Sequence, residues 1–326
     1  MNKILNFLSI ILLCGLILSA CTSTPQPQAT EPPVVIESNA TDAPIPQAEA
    51  TSPAVVQPET VPAIQHTNIP GTPPTSGGER WGDHSTVSST NAARALLGDD
   101  FSDGKFERPY NSNTMDIYFP HLDLDKAAIY SEDATWVYAV ITLVGRDVNN
   151  AFTGQYAIEL DLDQNGFGEI LIMVDNPSSA EWTTQGVHVY KDGNLDIGGV
   201  SPAKADSAGA SSDGYETVLF DQGTGDDPDL AWVRLDPVDP HSFQIAYKQS
   251  LLGGEKTYTA GIWAGTHLDP ALFDYNDHFT YEQAGAANSE ITNFYPIKEL
   301  SEFDNTCRQA IGYDATGLEP GICATQ

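Results

Sequence analysis

The sequence predicts an all-β domain, an antiparallel, jelly-roll-like β-sandwich, placed between a polar N-terminal segment and a C-terminal tail pinned by a disulfide. About ten short segments rich in β-branched and aromatic residues are separated by clusters of Gly, Pro, Asn and Asp. No regular alternation of strands with longer helices occurs, which disfavours a parallel α/β sheet. The part of the 326-residue chain that follows the polar segment has a length normal for one all-β domain.

The strands follow from local hydrophobic patterns. The segment 136–144 is apolar on both faces and predicts a central core strand. Residues 90–97 predict a short helix that begins after Ser89 or Thr90 and ends at Gly98. The predicted strands are 114–119, 127–130, 135–144, 156–162, 169–174, 186–190, 215–220, 230–235, 243–247 and 258–263.

The hairpin at 154–175 is predicted to be the centre of the domain. Its first strand alternates in the period-two pattern of a half-buried strand, with Tyr156, Ile158 and Leu160 on one face and Ala157, Glu159 and Asp161 on the other. Its second strand, 170–174, is apolar on both faces, as expected for a strand inside a sandwich.

The turn of this hairpin carries oxygen-bearing side chains at alternate positions, the spacing with which a chain wraps a hard cation such as Ca²⁺. The predicted ligands are Asp161, Asp163, Asn165, the carbonyl of Phe167, and Glu169. The turn is not an EF-hand, because Ile172 stands where a bidentate Glu is required and flanking helices are missing. The alternative is a plain hairpin turn in which Asn165 and Gly166 supply positive φ and the acids are only solvated.

The N-terminus predicts an exported protein. Lys3 precedes an uncharged apolar run from Ile4 to Leu18, the pattern of a secretory signal peptide over residues 1–20. The run ends in Leu18-Ser19-Ala20-Cys21, which resembles the lipobox of bacterial lipoproteins. The resemblance implies cleavage before Cys21, a diacylglyceryl anchor on that residue, and a domain on the extracellular or periplasmic side of the membrane. The alternative, an uncleaved transmembrane helix, has a short run for a bilayer core of about 30 Å.

Residues 21–78 are predicted to be the lipidated cysteine and a tether. The segment after Cys21 is rich in Pro, Thr, Gln and Ala and contains no Lys or Arg. Such a composition cannot bury enough apolar surface to offset the entropy of ordering it, so a semi-extended spacer is expected. The single domain is then 79–326, with its core at about 111–300 and the tail at 301–326.

Two of the four cysteines remain for the mature fold, since Cys14 lies in the signal peptide and Cys21 in the lipobox. Cys307 and Cys323 are therefore expected to pair in an exported protein, although a pair of free thiols is the alternative. The disulfide would pin a Gly-rich, loop-like tail that would otherwise fray.

Composition and motifs narrow the chemistry. A net charge of −31 disfavours nucleic-acid binding, which depends on Lys and Arg neutralising phosphates. The seven histidines make no zinc-type pair, and no nucleophile elbow or phosphate-binding loop is found. Three further acidic turns, at 221–229, 236–239 and 274–278, could add cation ligands but are ordinary for an acidic protein.

The tryptophans give one lead to a ligand. Trp136 and Trp232 lie within apolar strand patterns and are predicted to be core residues. Trp182 lies in a polar loop after the central hairpin, where its ring could stack on a sugar or fold back over the edge of the sheet. Ligand contact is less expected for Trp81, in the lead-in.

The middle of the chain resembles the DOMON-like and family 9 carbohydrate-binding-module-like sandwiches of secreted bacterial proteins. The resemblance lies in the strand segment 136–143, the strand 156–163, and 169–172 after the turn. It implies a non-catalytic sandwich that binds a sugar or cofactor, with calcium as a structural ion.

Three functions follow as hypotheses. The first is a surface-tethered module that binds an extracellular ligand, carbohydrate above all. The second is a structural or adhesive surface protein with a protein or cell-wall partner. The third is a hydrolase with a carboxylate pair, which 45 acidic residues make easy to propose and hard to locate.

Overall fold

Two antiparallel β-sheets form the protein. The structure, a computed structural model, describes residues 64–83, 85, 87, 106–111, 117–197, 213–273 and 302–323, all within one compact unit, Val61–Gln326. The predicted signal peptide, Cys21, the tether as far as residue 63, the helix at 90–97, the first half of the strand at 114–119 and the acidic turn at 274–278 lie outside the described residues. The second half of that predicted strand, 117–119, is not a strand and forms only an isolated bridge between Tyr118 and Tyr110.

The strands are short and, within the described ranges, every ladder between them is antiparallel, which confirms the predicted all-β class. Two 3-10 turns, Gln249–Leu252 and Pro270–Leu272, complete the regular structure of the described residues. The strands are β1 (Glu79–Gly82), β2 (Phe106–Arg108), β3 (Leu124–Tyr130), β4 (Trp136–Leu143), β5 (Gln155–Asp161), β6 (Ile170–Asp175), β7 (Val187–Lys191), β8 (Thr217–Asp221), β9 (Thr224–Gly225), β10 (Ala231–Leu235), β11 (Ser242–Lys248), β12 (Tyr258–Gly265), β13 (Phe303–Asn305) and β14 (Gln309–Ile311).

The strand order places the predicted core strands inside their sheets. The five-stranded sheet runs β1-β3-β4-β11-β10, with β4 at its centre. The nine-stranded sheet runs β2-β13-β12-β5-β6-β7-β8-β9, and β14 also pairs with β12. The central hairpin pairs β5 with β6 in register from Gln155 opposite Asp175 to Leu160 opposite Ile170. The strands that the sequence analysis did not predict are β1, β2, β9, β13 and β14, which have two to four residues each.

The main core lies between the two sheets. Val137, Ala139 and Ile141 of β4 face Ile158 and other residues of β5, β6 and β12 in one cluster of buried side chains. The alternation predicted for β5 is confirmed, because Tyr156, Ile158 and Leu160 belong to this cluster while Ala157 belongs to another. Burying apolar surface at about 25 cal/mol per Å² makes this layer the main source of stability.

Both sheets also carry buried apolar residues on their outer faces. On the nine-stranded sheet, Ala157, Leu171 and Trp263 are covered by Tyr215 and Phe273 from the loops. On the five-stranded sheet the outer cluster is aromatic, and we call it the aromatic face. It contains Tyr130, Trp136, Tyr138 and Trp232, with Trp182 packed against it.

Residues 64–78, which we call the strap, contact this aromatic face. Composition grouped them with the tether, yet the strap packs on the domain. The His66 ring lies 4.7 Å from the ring of Trp232, and the Gly71 amide donates to the Tyr138 hydroxyl over 3.0 Å. Gly78, at the C-terminal end of the strap, lies against the Tyr130 ring so closely that a Cβ there would fall 2.4 Å from Cδ1. Trp136 and Trp232 are therefore buried as predicted, but outside the main core.

The tail returns to the nine-stranded sheet and is closed by the Cys307–Cys323 disulfide, as predicted, with a Cα–Cα distance of 5.0 Å. Part of the segment predicted to be loop is the short strand β14. The Arg308 amide donates to the Gly321 carbonyl over 2.8 Å, and the Cys323 amide donates to the Arg308 carbonyl over 2.7 Å. The disulfide therefore fixes the backbone on both sides of Arg308.

Replacing both cysteines by serine should lower the free energy of unfolding by about 3 kcal/mol, the chain-entropy value for a loop of this length. Urea unfolding of the full chain measures the change. A reductant should destabilise the wild type by a similar amount and leave the double variant unaffected. Equal unfolding midpoints for the oxidised wild type and the variant would show that the disulfide does not stabilise the fold.

Candidate functional site

The turn between β5 and β6 gathers three of the predicted cation ligands. Asp161 is the last residue of β5, and Glu169 immediately precedes β6, so the β5–β6 pairing brings the two together. Asp161, Asp163 and Glu169 each offer a carboxylate oxygen, and these oxygens lie within 4.8 Å of one another. Among the described residues, this is the one such group of three acidic, histidine or cysteine side chains.

Hydrogen bonds to Asp161 hold the shape of this turn. Its carboxylate is buried and accepts from the Asn165 amide over 3.1 Å and from the Gly166 amide over 2.8 Å. Positive φ occurs at Gln164 (62°) and Gly166 (100°), so the proposal that Asn165 supplies it was wrong. Gly166 also meets the tail, since a Cβ there would lie 2.6 Å from Pro320.

The other two predicted ligands, Asn165 and Phe167, lie elsewhere in the turn. The Asn165 side-chain oxygen accepts from the Phe167 amide over 2.7 Å, which directs that oxygen into the turn. Phe167 is 40% exposed and stands at the tip. The structure therefore brings the three predicted carboxylates together and gives Asn165 a local structural role.

Burial and crowding disfavour negative charge in this turn. Burial raises the pKa of Asp161, although hydrogen bonds from Gly166 and the nearby Arg308 guanidinium oppose the shift. Burial also raises the pKa of Glu169 to about 7, with the charges of Asp161 and Asp163 adding to the effect against a hydrogen bond from the Leu162 amide. A proton or a cation at the cluster would relieve this repulsion.

Arg308 lies behind the cluster and was missed by sequence reasoning. Its guanidinium donates to the Gly166 carbonyl and to Glu159 over 3.2 Å, and lies 3.7 Å from Asp161. Glu159 is 1% exposed and also accepts from the Tyr215 hydroxyl over 2.7 Å and the Trp263 indole over 3.2 Å. A buried pair with this many hydrogen bonds is compensated, and removing one partner would leave an uncompensated charge.

The other predicted acidic turns within the described residues have structural partners. Asp227 holds Lys248 with both oxygens, at 2.8 and 2.6 Å. Asp236 accepts from the Val238 amide over 2.7 Å, which shapes the β10–β11 turn. Neither residue belongs to the carboxylate cluster, so these turns add no ligands to it.

A second candidate site is an open cleft on the outer face of the five-stranded sheet, beside the strap. It has a volume of about 560 Å³, within the usual range for small-molecule sites. Its floor contains Ala128 and Val140, and Tyr130 lies at one side. The polar lining consists of Arg80, Asp125, Lys126, Thr142, Asp236, Asp239 and Ser242.

The polar groups of the cleft are preorganised. The Thr142 and Ser242 hydroxyls lie 2.7 Å apart, and the Ser242 hydroxyl donates to Asp239 over 3.0 Å. Burial would raise the pKa of Asp239, but hydrogen bonds from His241 and Ser242 and the charge of Lys126 lower it overall. On the other side, Arg80 donates to the Tyr130 hydroxyl over 2.9 Å. The cleft thus presents fixed donors and acceptors around an apolar floor.

Trp182 does not line the cleft. Its indole N–H donates to the Gly71 carbonyl over 2.9 Å, and the Arg234 guanidinium lies 4.5 Å from the ring centroid. The ring is therefore folded back over the sheet next to the strap. Trp81, the other tryptophan considered for ligand contact, is one of the residues that line the cleft, but its side chain belongs to the main core.

No family model, curated protein or solved structure matches this chain. The resemblances to lipoproteins and to DOMON-like or carbohydrate-binding sandwiches therefore stay predictions. Within the described residues, no helix has the length and hydrophobicity needed to cross a membrane.

The raised pKa of Glu169 gives a prediction about pH. Because its pKa rises from 4.5 to about 7 on folding, the folded state keeps the proton that the unfolded state has lost. The stability from this group is therefore present below about pH 4.5 and is lost as the pH rises through about 7. Glu169→Gln does not titrate, so it should gain stability relative to the wild type between about pH 5 and about pH 8.

Urea unfolding in metal-free buffer measures this difference. Glu181→Gln is the matched control, because Glu181 is exposed and outside the cluster, and its effect should not change with pH. If the difference in free energy of unfolding between Glu169→Gln and the wild type is the same at about pH 5 and about pH 8, the inferred rise in the pKa of Glu169 on folding is wrong.

Proposed function

We propose that this chain is an exported, lipid-anchored β-sandwich that binds carbohydrate in the cleft of the five-stranded sheet and carries calcium in the β5–β6 turn. The lipobox at Cys21 supports the anchor, and the composition up to residue 63 supports a spacer that holds the domain away from the membrane. We assign a binding role because the hydroxyls and carboxylates of the cleft are placed to hydrogen-bond a ligand.

The observation that carries the proposal is the amphipathic lining of the cleft. A sugar ring has apolar C–H surfaces and a rim of hydroxyls that both donate and accept hydrogen bonds. The apolar C–H surfaces can pack on the floor formed by Ala128 and Val140 and on the Tyr130 ring. The sugar hydroxyls can hydrogen-bond with Arg80, Asp239 and the paired hydroxyls of Thr142 and Ser242.

Charge narrows the class of glycan. The chain has a net charge of −31, and the cleft itself contains three carboxylates, Asp125, Asp236 and Asp239, against Arg80 and Lys126. An acidic polysaccharide would be repelled at long range by this field. Neutral oligosaccharides are therefore the proposed ligands.

The turn residues fit calcium in both chemistry and spacing. Calcium binds oxygen ligands at about 2.3–2.6 Å, so two oxygens on one ion cannot be more than about 5.2 Å apart. The three carboxylate oxygens satisfy this limit, because they all lie within 4.8 Å of one another. Asp163 and Glu169 would be the principal ligands together with Asp161, and water would complete the shell. The ion would neutralise the repulsion that raises the pKa of Glu169 and stabilise the hairpin.

A panel of neutral and acidic oligosaccharides, screened by calorimetry against the full chain, tests the carbohydrate proposal. We expect neutral glycans to bind, and Lys126→Ala and Thr142→Ala each to weaken binding about tenfold by removing a hydrogen-bond partner. Lys191→Ala is the matched control, because Lys191 is exposed on the other sheet, and it should bind as the wild type does. Ala128→Phe, which fills the floor, should abolish binding. If Ala128→Phe still binds the glycan, the binding site is not this cleft.

Thermal unfolding of the metal-stripped chain, with and without calcium, tests the ion. At a hundred times the dissociation constant the ion should stabilise the wild type by about 2.7 kcal/mol, a shift of several degrees. Asp163→Asn/Glu169→Gln should lose this shift, and it spares Asp161, whose hydrogen bonds hold the turn. Asp226→Asn, in another exposed acidic turn, should keep it. A shift retained by the double variant, or absent from the wild type, contradicts the proposal.

A further inference from the structure

The strap buries two of its prolines where it packs on the domain. Pro70 and Pro73 are buried, whereas Gly71, Thr72 and Pro74 are exposed. Ile64 and Ile69, the two isoleucines of the strap, are 44% and 59% exposed. A non-specific apolar contact would bury the isoleucines first, whereas the strap buries two prolines at a Pro-x-x-Pro spacing. Grooves lined by aromatic rings bind polyproline II segments with this spacing.

The groove also recognises the backbone between the two prolines. The Gly71 amide donates to the Tyr138 hydroxyl over 3.0 Å, and the Gly71 carbonyl accepts from the Trp182 indole over 2.9 Å. Proline-rich segments have few N–H groups, so side-chain donors from the groove satisfy their carbonyls. The rings of Tyr138 and Trp182, 6.2 Å apart, therefore supply one acceptor and one donor to a single residue of the strap.

The N-terminal end of the strap satisfies a buried charge. Asp229 is 1% exposed and accepts from the His66 ring over 2.7 Å, the Thr67 amide over 2.9 Å and the Asn68 amide over 2.8 Å. Without the strap, this carboxylate would lose these donors, and Tyr138 and Trp232 would lose their contacts with Gly71 and His66. An empty groove is therefore costly, which favours a segment of the same chemistry whenever the strap leaves.

We propose that the aromatic face is a binding site for Pro-x-x-Pro polypeptide, and that its second occupant is the strap of another copy of this chain. Exchange between two copies re-forms every strap contact, so it costs mainly the freedom lost on association. The hinge can lie at Ser76 and Gly77, near the C-terminal end of the strap, because both residues are exposed and Gly77 has a φ of 83°. This inference rests on the contacts of the strap and not on the proposed carbohydrate or calcium binding.

A fluorescent peptide with the sequence of residues 65–75 tests the site in the full chain. In Pro70→Ser/Pro73→Ser the resident strap should bind weakly while the groove is unchanged, so the peptide should bind at least tenfold more tightly than to the wild type. Pro74→Ser is the matched control, because Pro74 is exposed, and it should behave as the wild type does. Adding Trp182→Phe, which keeps a ring but removes the N–H donor, should weaken peptide binding again.

A peptide in which serine replaces both buried prolines should fail to bind every variant. The wild-type peptide and this control peptide should therefore differ in affinity for Pro70→Ser/Pro73→Ser. If they bind it equally, the aromatic face does not recognise the two prolines. Neither result depends on glycan binding or calcium, so failure here would leave the carbohydrate proposal standing.

Native mass spectrometry of mixed isotope-labelled and unlabelled full chains tests the second occupant. We expect dimers of intermediate mass whose fraction rises with protein concentration. These dimers should persist in Pro74→Ser and disappear in Pro70→Ser/Pro73→Ser. The proposed exchange between copies is wrong if the wild type stays monomeric at all concentrations. It is also wrong if the dimers survive the double substitution.

Discussion

Both sheets of this protein are apolar on both faces, and this constraint decides how the rest of the chain is used. A sandwich buries one face of each sheet in its main core, and the other face is normally polar. Here the outer faces carry two further clusters of buried rings. Each therefore needs a covering layer, and the chain supplies these layers from the strap, from loops between strands and from the disulfide-bonded tail.

Buried carboxylates fasten these covering segments to the sandwich. Asp229 accepts four hydrogen bonds from the strap, and Glu159 accepts from Tyr215 of a covering loop and Arg308 of the tail. Asp192 is fully buried and accepts from the amides of Leu195 and Ile197 over 2.6 and 2.8 Å, which folds the loop that places Ile197 on the outer cluster. Part of the acidic excess of the sequence is therefore structural, although composition alone presents it as surface charge.

The same distinction explains what could be predicted from the sequence. Strands with a strong local pattern, such as β4 and β5, were predicted within a few residues because burial on one or both faces shows in the residue order. β1, β13 and β14 have three or four residues and owe their existence to pairing with distant strands, so no local signal indicates them.

The candidate sites divide in the same way. The carboxylates of the turn were predicted because their spacing is local, from Asp161 to Glu169. Arg308 comes from a distant part of the chain, and its position beside Cys307 was the one available signal. The strap has the composition of a tether, and only its buried contacts with Asp229 and Tyr138 distinguish it from one.

The strap and the cleft meet at Arg80, which links the two proposed binding events. Arg80 donates to the Thr75 carbonyl of the strap over 2.9 Å and to the Tyr130 hydroxyl over 2.9 Å, and both Arg80 and Tyr130 line the cleft. A ligand that drew the guanidinium into the cleft would weaken its bond to the strap. Since coupling between two equilibria is reciprocal, release of the strap then changes the affinity of the cleft by the same factor. Occupancy of the cleft and exchange of the strap are therefore not independent properties of this face.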